Sequence, residues 1–373
     1  MSVAEKKNVG KVNLYVPART LESVSRENNI SIDSLLKLAA NENRLGCSPK
    51  VAEALIQAQP EYALYPDVMI TKLRNKLAAK HNVEPADIVF GNGSFELISL
   101  LAAAYIDEGD ESIYTEPSFG WYINVTKLYG GVTVGVPVGS DMGADIEGIK
   151  AAITGRTKVI WLCNPNNPTG TIIAPDALTE FIESVPDNIL IVLDEAYIDF
   201  AEEKYIDTVR FTKEHDNVVI LRTFSKLYGL ASFRIGYAIG NPVIVTALTK
   251  VKLPFNVAYA SQVAAYAAVN DEEFTNRVLK NNRDGLDYYY REFDRLGMRY
   301  VRSNGNFVLV YTGIDSNYLE EEFIKRRILI RNGVEFGLDK WMRISIGTPE
   351  DNCKVIEAFD DILKKFKKRV DKC

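Results

Sequence analysis

Histidine is almost absent from this chain, and cysteine is scarce. The 373 residues include two histidines, His81 and His215, and four cysteines. His81 follows a helical pattern and His215 lies in a polar turn, so we expect both on the solvated surface. So few imidazoles disfavour a Ser-His-Asp triad or a His-rich zinc site, and the cysteines form no CxxC pair, so we expect no metal. Any catalysis must therefore rest on lysine, carboxylate, tyrosine and arginine.

Excess positive charge and long apolar runs are also missing. The formal net charge of -6 argues against a broad surface for nucleic acid or anionic membranes. No stretch approaches the roughly 20 consecutive apolar residues of a membrane helix, and the N-terminus has no apolar signal core. Together with the unpaired cysteines, this predicts a cytoplasmic protein that acts on small molecules, with no nucleic-acid or membrane partner.

Short β-branched runs alternate with helical stretches between about residues 85 and 240. The clearest runs are 112–116, 132–138, 158–164, 189–194, 218–224 and 234–239. This alternation predicts an α/β domain with a mostly parallel sheet and helices on both faces. The run before Asp194 is apolar throughout, as in a strand buried on both sides. Since such sheets bind ligands beyond the carboxyl ends of their strands, the polar residues that end these runs are the first candidates for a site.

The character of the chain changes after about residue 270. Helical patterns cover 272–296, 318–327 and 349–368, and strand-like runs include 306–313. These patterns predict a smaller α+β domain with antiparallel strands. The first residues indicate an irregular arm with a short helix, followed by KLAANENRLG as a loop. We expect residues 1–46 to form the arm and part of the small domain, 47–270 the large domain, and 271–373 the small domain.

The segment LRTFSKLYGLASFRIGY, residues 221–237, contains the first candidate site. Lys226 ends an apolar strand, where partial desolvation favours the neutral, nucleophilic amine. Thr223, Ser225 and Arg234 offer two hydroxyls and a bidentate cation, which together suit a phosphate monoester. A surface loop with one lysine and one arginine explains this segment equally well when it is taken alone.

Two further motifs, NPNNPTG and LDEAY, follow other strands of the same domain. The first predicts a tight turn that directs Asn167 outward from the sheet edge. Asp194 follows five apolar residues, where an unpaired carboxylate is costly, so it needs a cation such as a protonated pyridine nitrogen. Tyr197 could donate to a phenolate oxygen on the same ring. A helix N-cap would explain Asp194 alone, but it would not explain the three motifs together.

Other segments extend this set in a fixed order. They are LAANENRLGCSP at 38–49, YPD at 65–67, GNGSFELI at 91–98, EPSFGWY at 116–122 and MRISIGTPEDN at 342–352. With them the chain resembles, over essentially its full length, the fold-type I aminotransferases that depend on pyridoxal 5′-phosphate (PLP). Within these it is most similar to the histidinol-phosphate aminotransferase family. The resemblance implies a PLP-binding domain with a mostly parallel seven-stranded sheet, a smaller α+β domain, and a homodimer with shared active sites.

The resemblance assigns a role to each matching residue. Lys226 would hold PLP as a Schiff base and then shuttle a proton. Asp194 would pair with the ring nitrogen, while Asn167 and Tyr197 would hydrogen-bond the phenolate oxygen. The remaining cofactor contacts would be Gly93, Ser94 and Phe95 at a helix N-terminus, Thr223, Ser225 and Arg234 around the phosphate, Phe119 on the ring face, and Tyr65 on the phosphate of the neighbouring subunit.

Substrate contacts follow from the same resemblance. Arg343 matches the arginine that binds the donor's α-carboxylate, and Arg331 lies where the family often places an arginine for a distal anion. Tyr15 matches a tyrosine of an arm that covers the substrate, and Asn43 would line the same mouth with Asn167. The implied reaction is the reversible conversion of histidinol phosphate and 2-oxoglutarate to imidazole acetol phosphate and glutamate, a step of histidine biosynthesis.

The sequence leaves alternative functions open. An aromatic amino-acid aminotransferase shares nearly all these motifs, and a PLP-dependent phospho-amino-acid decarboxylase shares the fold, the lysine and an anion-binding arginine. A PLP-binding regulatory module is disfavoured because the chain has no basic segment for nucleic acid. The chain departs from the common family pattern at Arg44, Phe95 and Gly305. Phe95 and Gly305 leave room for a different preferred acceptor, such as an aromatic amino acid.

Overall fold

The structure of the chain is a computed structural model that describes residues 3–14, 19–201 and 205–370, without the side chains of 367–370. The α-helices within these ranges are α1 (Leu21–Asn28), α2 (Pro49–Ala58), α3 (Thr71–His81), α4 (Ser94–Tyr105), α5 (Trp121–Leu128), α6 (Ile146–Ala151), α7 (Pro175–Ser184), α8 (Phe211–Glu214), α9 (Pro242–Val251), α10 (Tyr259–Val269), α11 (Glu272–Leu296), α12 (Ser316–Lys325) and α13 (Pro349–Val370). The strands are β1 (Leu36–Leu38), β2 (Ile88–Gly91), β3 (Glu111–Glu116), β4 (Val132–Pro137), β5 (Thr157–Cys163), β6 (Leu190–Asp194), β7 (Val218–Thr223), β8 (Gly236–Gly240), β9 (Arg299–Val301), β10 (Phe307–Tyr311), β11 (Ile328–Asn332) and β12 (Trp341–Ser345).

A seven-stranded sheet forms the centre of the larger part of the molecule. Its strand order is β2-β8-β7-β6-β5-β3-β4. The pairs from β7 through β6, β5 and β3 to β4 are parallel, while β8 is antiparallel to both of its neighbours. The prediction of a mostly parallel seven-stranded sheet is confirmed. The carboxyl ends of β5, β6 and β7 therefore lie side by side at one edge.

Both faces of this sheet are buried. Ile191 and Leu193 of β6 contribute to a core on one face, and Val192 between them contributes to a core on the other. Helix α7 packs on the first face through residues such as Leu178, and α4 packs on the second through residues such as Leu101. Alternate side chains of a strand point to opposite faces, which explains why these strands read as continuous apolar runs.

A second, five-stranded sheet has the order β1-β11-β12-β10-β9. The predicted antiparallel arrangement holds for β9 to β12, but β1 pairs with β11 in parallel. The prediction that KLAANENRLG, residues 37–46, is a loop is therefore wrong at Lys37 and Leu38, which belong to β1. A strand of three residues has too little pattern to be recognised, and its partner lies far away in sequence. The domain boundaries at 46/47 and 270/271 remain predictions.

His81 also lies in a different environment from the one predicted. Its Nε2 lies 2.9 Å from the hydroxyl oxygen of Tyr237, and burial lowers its pKa to about 3. The expectation of a solvated His81 is wrong because α3, which ends at this residue, lies against the sheet through Leu73 and Leu77. His215 is partly exposed. Among the helices described, none has the length and apolar character needed to cross a membrane.

Candidate active site

Three motifs found in the sequence lie together at the carboxyl edge of the large sheet. Cys163 at the end of β5 pairs in register with Asp194 at the end of β6, and Asp194 pairs with Leu221 of β7. The backbone N–H of Asn164 donates to the Asp194 carbonyl at 2.9 Å. The NPNNPTG turn, the LDEAY segment and the lysine-containing turn therefore leave the sheet next to one another.

Asp194 is a buried carboxylate whose described contacts are hydrogen-bond donors. The Tyr122 hydroxyl donates to its Oδ2 at 2.7 Å, and the Ala196 backbone N–H donates to its Oδ1 at 3.2 Å. Burial raises the pKa of Asp194, and these two hydrogen bonds oppose the rise. Across residues 3–14, 19–201 and 205–370, no lysine or arginine forms an ion pair with it. The site is thus built to accept a cationic group beside this carboxylate.

Lys226 lies in the turn after β7, with its Nζ directed across the site. The ammonium donates to the Ala40 carbonyl at 3.1 Å and lies 5.6 Å from the ring centre of Tyr197. Burial lowers the pKa of Lys226 to about 7, with a further contribution from the positive charge of Arg343. An amine with this pKa is partly neutral at neutral pH, so it can act as a nucleophile or a proton acceptor.

Hydroxyl groups and a guanidinium meet near the N-terminus of α4. The Thr223 hydroxyl donates to Ser225 Oγ at 3.0 Å, and Arg234 Nη1 lies 3.5 Å from the same oxygen. Gly93 is the N-cap of α4 at φ +77°, and no side chain caps the helix there. A Cβ at Gly93 would collide with the Arg234 guanidinium. We call Gly93, Ser94, Thr223, Ser225 and Arg234 the anion cup, because open helix N–H groups, hydroxyls and an arginine suit a phosphate.

The small sheet and the loop after β1 cover the other side of Lys226. Arg343 of β12 is buried and donates to the side-chain oxygen of Asn167 and, at 2.8 Å, to the Ala39 carbonyl. Asn41 donates to the Tyr197 hydroxyl at 3.0 Å. Burial raises the pKa of Tyr197 to about 12, so the phenol stays protonated and can donate its own hydrogen.

Arg331 lies beside Arg343 in the small sheet. The two residues are direct cross-strand partners of β11 and β12, so their side chains share one face. Arg331 forms an ion pair with Glu335, and its guanidinium lies 6.0 Å from the ring centre of Phe336. The Arg343 guanidinium lies 5.4 Å from the same ring. The pair therefore offers two cations on the side of the site formed by the small sheet.

An aromatic cluster lies next to Asp194. Phe119 meets Phe95 edge to face at a centroid distance of 4.9 Å, and it meets Tyr122 at 5.6 Å. Phe95 also lies 5.6 Å from Trp121. Because Phe119 and Phe95 are partly exposed, they can present ring surface to a bound molecule. Phe95, one of the residues at which the chain departs from the common family pattern, is thus part of this wall.

The remaining predicted residues are Tyr65, Asn43 and Tyr15. Tyr65 is 85% exposed, stacks on Phe255 at 4.9 Å, and contacts no residue of the site within this chain's described ranges. Asn43 donates to the Leu227 carbonyl at 2.9 Å and accepts from the Leu45 N–H, so it holds the loop beside Lys226. Its predicted substrate contact stays a prediction. Tyr15 lies outside the described residues.

Sequence reasoning gave no role to two residues that the structure brings into the site. Tyr122, the donor to Asp194, is the second residue of α5 and belongs to the same EPSFGWY motif as Phe119, so the motif contained a signal for it. Asn41 has a positive φ of 53° and is 1% exposed. An asparagine tolerates this left-handed conformation better than most residues, so the NEN segment contained a signal for its position.

The site geometry fits a phosphorylated pyridine aldehyde. Lys226 offers the amine, Asp194 offers a carboxylate for a ring cation, and the anion cup offers the phosphate contacts. An α/β sheet with this arrangement at its carboxyl edge, and a second sheet that supplies arginines, is characteristic of the fold-type I aminotransferases.

Comparisons with known proteins agree with this class. The family model "Aminotransferase class I and II" matches residues 33–359. Histidinol-phosphate aminotransferase 2 of Carboxydothermus hydrogenoformans is 41% identical over 352 residues, which cover 94% of this chain and 96% of that protein. The chain therefore belongs to the class I and II aminotransferases and, within them, to the histidinol-phosphate aminotransferase family.

Solved structures show the same fold. The histidinol-phosphate aminotransferase of Sinorhizobium meliloti, solved in complex with pyridoxal-5′-phosphate, has a TM-score of 0.89 and 26% identity, and the match covers 98% of this chain and 99% of that one. L-threonine-O-3-phosphate decarboxylase of Porphyromonas gingivalis has a TM-score of 0.79 and 24% identity, over 88% of this chain and 100% of that one. At that identity the likeness concerns the fold alone.

Proposed function

We propose that this chain is a PLP-dependent aminotransferase that exchanges an amino group between histidinol phosphate and 2-oxoglutarate, as a cytoplasmic homodimer. The observation that carries the cofactor assignment is Asp194. It is a carboxylate 4% exposed whose described neighbours supply hydrogen bonds but no cation. A pyridinium nitrogen would satisfy it. The substrate assignment draws its support from the relative with 41% identity.

Each part of the cofactor has a matching set of residues. The anion cup would hold the phosphate, Phe119 would lie on the ring face, and Lys226 would form the covalent link. Asn167 and Tyr197 would donate to the ring oxygen. When bound, PLP supplies an electron sink for the charge that develops at the substrate's Cα.

The chain's own residues perform the proton transfer and the charge stabilisation. Lys226, with a pKa near 7, can take a proton from the substrate's Cα and donate it to a neighbouring carbon atom. The Ala40 carbonyl holds its Nζ at 3.1 Å on the side of the site formed by the small sheet. Asp194 would keep the ring nitrogen protonated, and Tyr122 fixes the orientation of that carboxylate through its 2.7 Å hydrogen bond.

Two arginines would position the substrate. Arg343 presents a planar fork that suits a carboxylate or a phosphate, and its hydrogen bonds to Asn167 and Ala39 fix its position. Arg331 would bind the second anion of a dianionic substrate such as glutamate. Because the two side chains share one sheet face, a substrate with two anionic groups can contact both.

The homodimer is supported by exposed apolar side chains around Tyr65. Ile56 is 73% exposed, Leu64 is 68%, and Leu253 is 72%. Tyr65 itself stacks on Phe255. A second subunit would cover such a surface, and it would bring Tyr65 to the partner's phosphate, as in the family.

One comparison of substrates tests the assignment. We expect kcat/KM with 2-oxoglutarate to be greater for histidinol phosphate than for phenylalanine. The aromatic wall of Phe95, Phe119 and Trp121 keeps an aromatic amino-acid aminotransferase as the second candidate. If phenylalanine exceeds histidinol phosphate by more than about tenfold, the substrate assignment is wrong, since tenfold corresponds to roughly 1.4 kcal/mol of transition-state binding. Release of CO2 from O-phosphothreonine would instead indicate a decarboxylase.

A further inference from the structure

An ion pair is buried directly behind the residues that would hold the cofactor. Arg222 Nε donates to Glu195 Oε2 at 3.0 Å, and Arg222 Nη2 lies 2.9 Å from the same oxygen. The Glu195 side chain is fully buried, and that of Arg222 is 15% exposed. Apolar residues of similar size often stabilise a protein as well as a buried ion pair does. Burial of this ion pair is therefore weak evidence that it serves general stability.

Each member of the pair is adjacent to a residue of the site. Glu195 directly follows Asp194 at the end of β6, and Arg222 directly precedes Thr223 at the end of β7. Successive side chains of a strand point to opposite faces. Asp194 and Thr223 face the site, so Glu195 and Arg222 face the opposite side of the sheet.

The pair also lies where the backbone pairing of the two strands ends. Asp194 and Leu221 are the last residues of β6 and β7 in register, and the Glu195 N–H donates to the Leu221 carbonyl at 2.9 Å. Beyond this point the segment after β6 turns towards Tyr197, and the segment after β7 turns towards Lys226. The ion pair between Glu195 and Arg222 therefore links the two segments one residue beyond the last pair in register, Asp194 and Leu221.

Several titratable groups surround this pair. Burial raises the pKa of Glu195, and the adjacent Arg222 opposes that rise. Burial lowers the pKa of His81 to about 3 and raises that of Tyr237 above its usual value. Lys80, whose pKa burial also lowers, donates to the Tyr228 hydroxyl at 2.8 Å, and the charge of Asp199 acts on both Glu195 and Arg222.

The cofactor places a geometric demand on this point of the sheet. Its ring nitrogen and its aldehyde carbon are held by one rigid aromatic ring, and its phosphate is joined to the same ring by a short methylene ester. The nitrogen would bind a residue of β6, whereas the aldehyde carbon and the phosphate would bind residues that follow β7. The separation of these two strand ends must therefore suit the size of the cofactor.

We propose that Glu195 and Arg222 are positioning residues that fix the distance between the Asp194 segment and the turn with Thr223, Ser225 and Lys226. This inference rests on the proposed function, because it concerns the binding of PLP. It assigns the pair no direct contact with cofactor or substrate. Its specific consequence is that a ligand which spans both strand ends depends on the pair, whereas a ligand of the anion cup alone does not.

The test compares PLP with inorganic phosphate as ligands of the cofactor-free protein. The main variant is E195M/R222M, which removes both charges, because a single substitution would leave an unpaired buried charge and could prevent folding. PLP affinity is measured by fluorescence titration, and phosphate affinity by its competition with PLP. We expect the dissociation constant for PLP to rise about 10- to 100-fold. The constant for phosphate should change less than about twofold, the size of a typical remote effect.

The matched control is E111Q, in a second ion pair of the same sheet. Glu111, at the amino end of β3, pairs with Arg156, and its side chain is 5% exposed. E111Q should keep both affinities within about twofold of the unsubstituted protein, because the site lies at the opposite end of the strands.

Two results would overturn the inference. One is an E195M/R222M protein with an unchanged melting temperature that binds PLP as tightly as the unsubstituted chain. The other is an equal loss of PLP and phosphate affinity, which would indicate general damage to the fold. An unsubstituted chain that binds no PLP in the fluorescence titration would overturn the proposed function as well, so the two failures are distinguishable.

Discussion

The two sides of the site are built in different ways. The side proposed to hold PLP, which we call the cofactor side, consists of strand ends and turns of one sheet, with Asp194 at the end of β6 and Lys226 in the turn after the neighbouring parallel strand β7. The side proposed to bind the substrate, which we call the substrate side, combines β12 and β11 of the second sheet with the loop after β1, whose Asn41 donates to Tyr197. Backbone pairing thus fixes the first side. Side-chain contacts between distant segments, such as Arg343 with Asn167, assemble the second.

This difference indicates where the enzyme is constrained and where it can vary. A rigid cofactor needs fixed contacts, and a buried strand end can hold them within narrow limits. A substrate that changes between an amino acid and a keto acid, or between two partners, is served by contacts that loops and a second sheet can adjust. We therefore expect substitutions on the cofactor side to affect every substrate equally. On the substrate side we expect a substitution at Arg331, which would meet only a distal anion, to discriminate among substrates.

The largest effect is expected on the cofactor side, at Asp194. D194N removes the negative charge that would keep the ring nitrogen protonated, so kcat/KM should fall about 100- to 1000-fold for all amino donors alike. Steady-state kinetics with glutamate, histidinol phosphate and phenylalanine measure this. D187N, in the exposed turn before β6, is the control. A decrease in kcat/KM confined to one amino donor would contradict the distinction between the two sides.

A smaller and more selective effect is expected at the two arginines. R343K keeps the charge but loses the planar fork, so kcat/KM should fall about 10- to 100-fold for every anionic donor. R331A should reduce kcat/KM for glutamate about tenfold and leave phenylalanine nearly unchanged, because phenylalanine has no distal anion. Equal losses for glutamate and phenylalanine in R331A would contradict the role of Arg331.

The smallest expected effect is a shift in the pH dependence of the reaction between Lys226 and PLP. Burial and the charge of Arg343 lower the pKa of Lys226 from 10.5 to about 7 in the cofactor-free protein. The rate at which Lys226 reacts with PLP should therefore rise with pH up to about 7 and level off above it, because the neutral amine is the nucleophile. R343M removes a charge that favours the neutral amine, so its midpoint should lie at higher pH. A midpoint near 10.5 in the unsubstituted protein would be inconsistent with the buried site.

The same titration has a consequence for stability. The unfolded chain keeps the Lys226 proton up to its ordinary pKa of 10.5, whereas the folded chain releases it near 7. Because the unfolded state binds more protons between these values, the contribution of Lys226 to the free energy of unfolding increases as pH rises through that window. The low pKa thus costs stability below pH 7.

The cofactor side could be predicted from the sequence, because its motifs are contiguous and directly follow apolar strands. Asp194 comes at the end of a run that is buried on both faces, so both its position and its need for a cation follow from the sequence. The same holds for the parallel sheet, since β5, β6 and β7 differ from the predicted runs by one or two residues. Local pattern and tertiary structure agree here.

The substrate side could be predicted less completely, because it depends on contacts between segments that are far apart in the chain. Strand β1 is too short to show a period, so its parallel pairing with β11 was missed. Asn41 rather than Asn43 contacts Tyr197, and no periodicity distinguishes the two asparagines. The burial of His81 against Tyr237 likewise depends on how α3 lies on the sheet.

The central claim is that the Lys226 amine forms the covalent link to PLP, and chemical mapping tests it most directly. The protein loaded with PLP would be reduced with borohydride, digested, and analysed by peptide mass spectrometry, with the K226A variant treated in parallel. We predict a single pyridoxyl group on the peptide that contains Lys226, and none at the corresponding position in K226A. A pyridoxyl group on a different lysine in the unsubstituted protein, with Lys226 unmodified, would contradict the account.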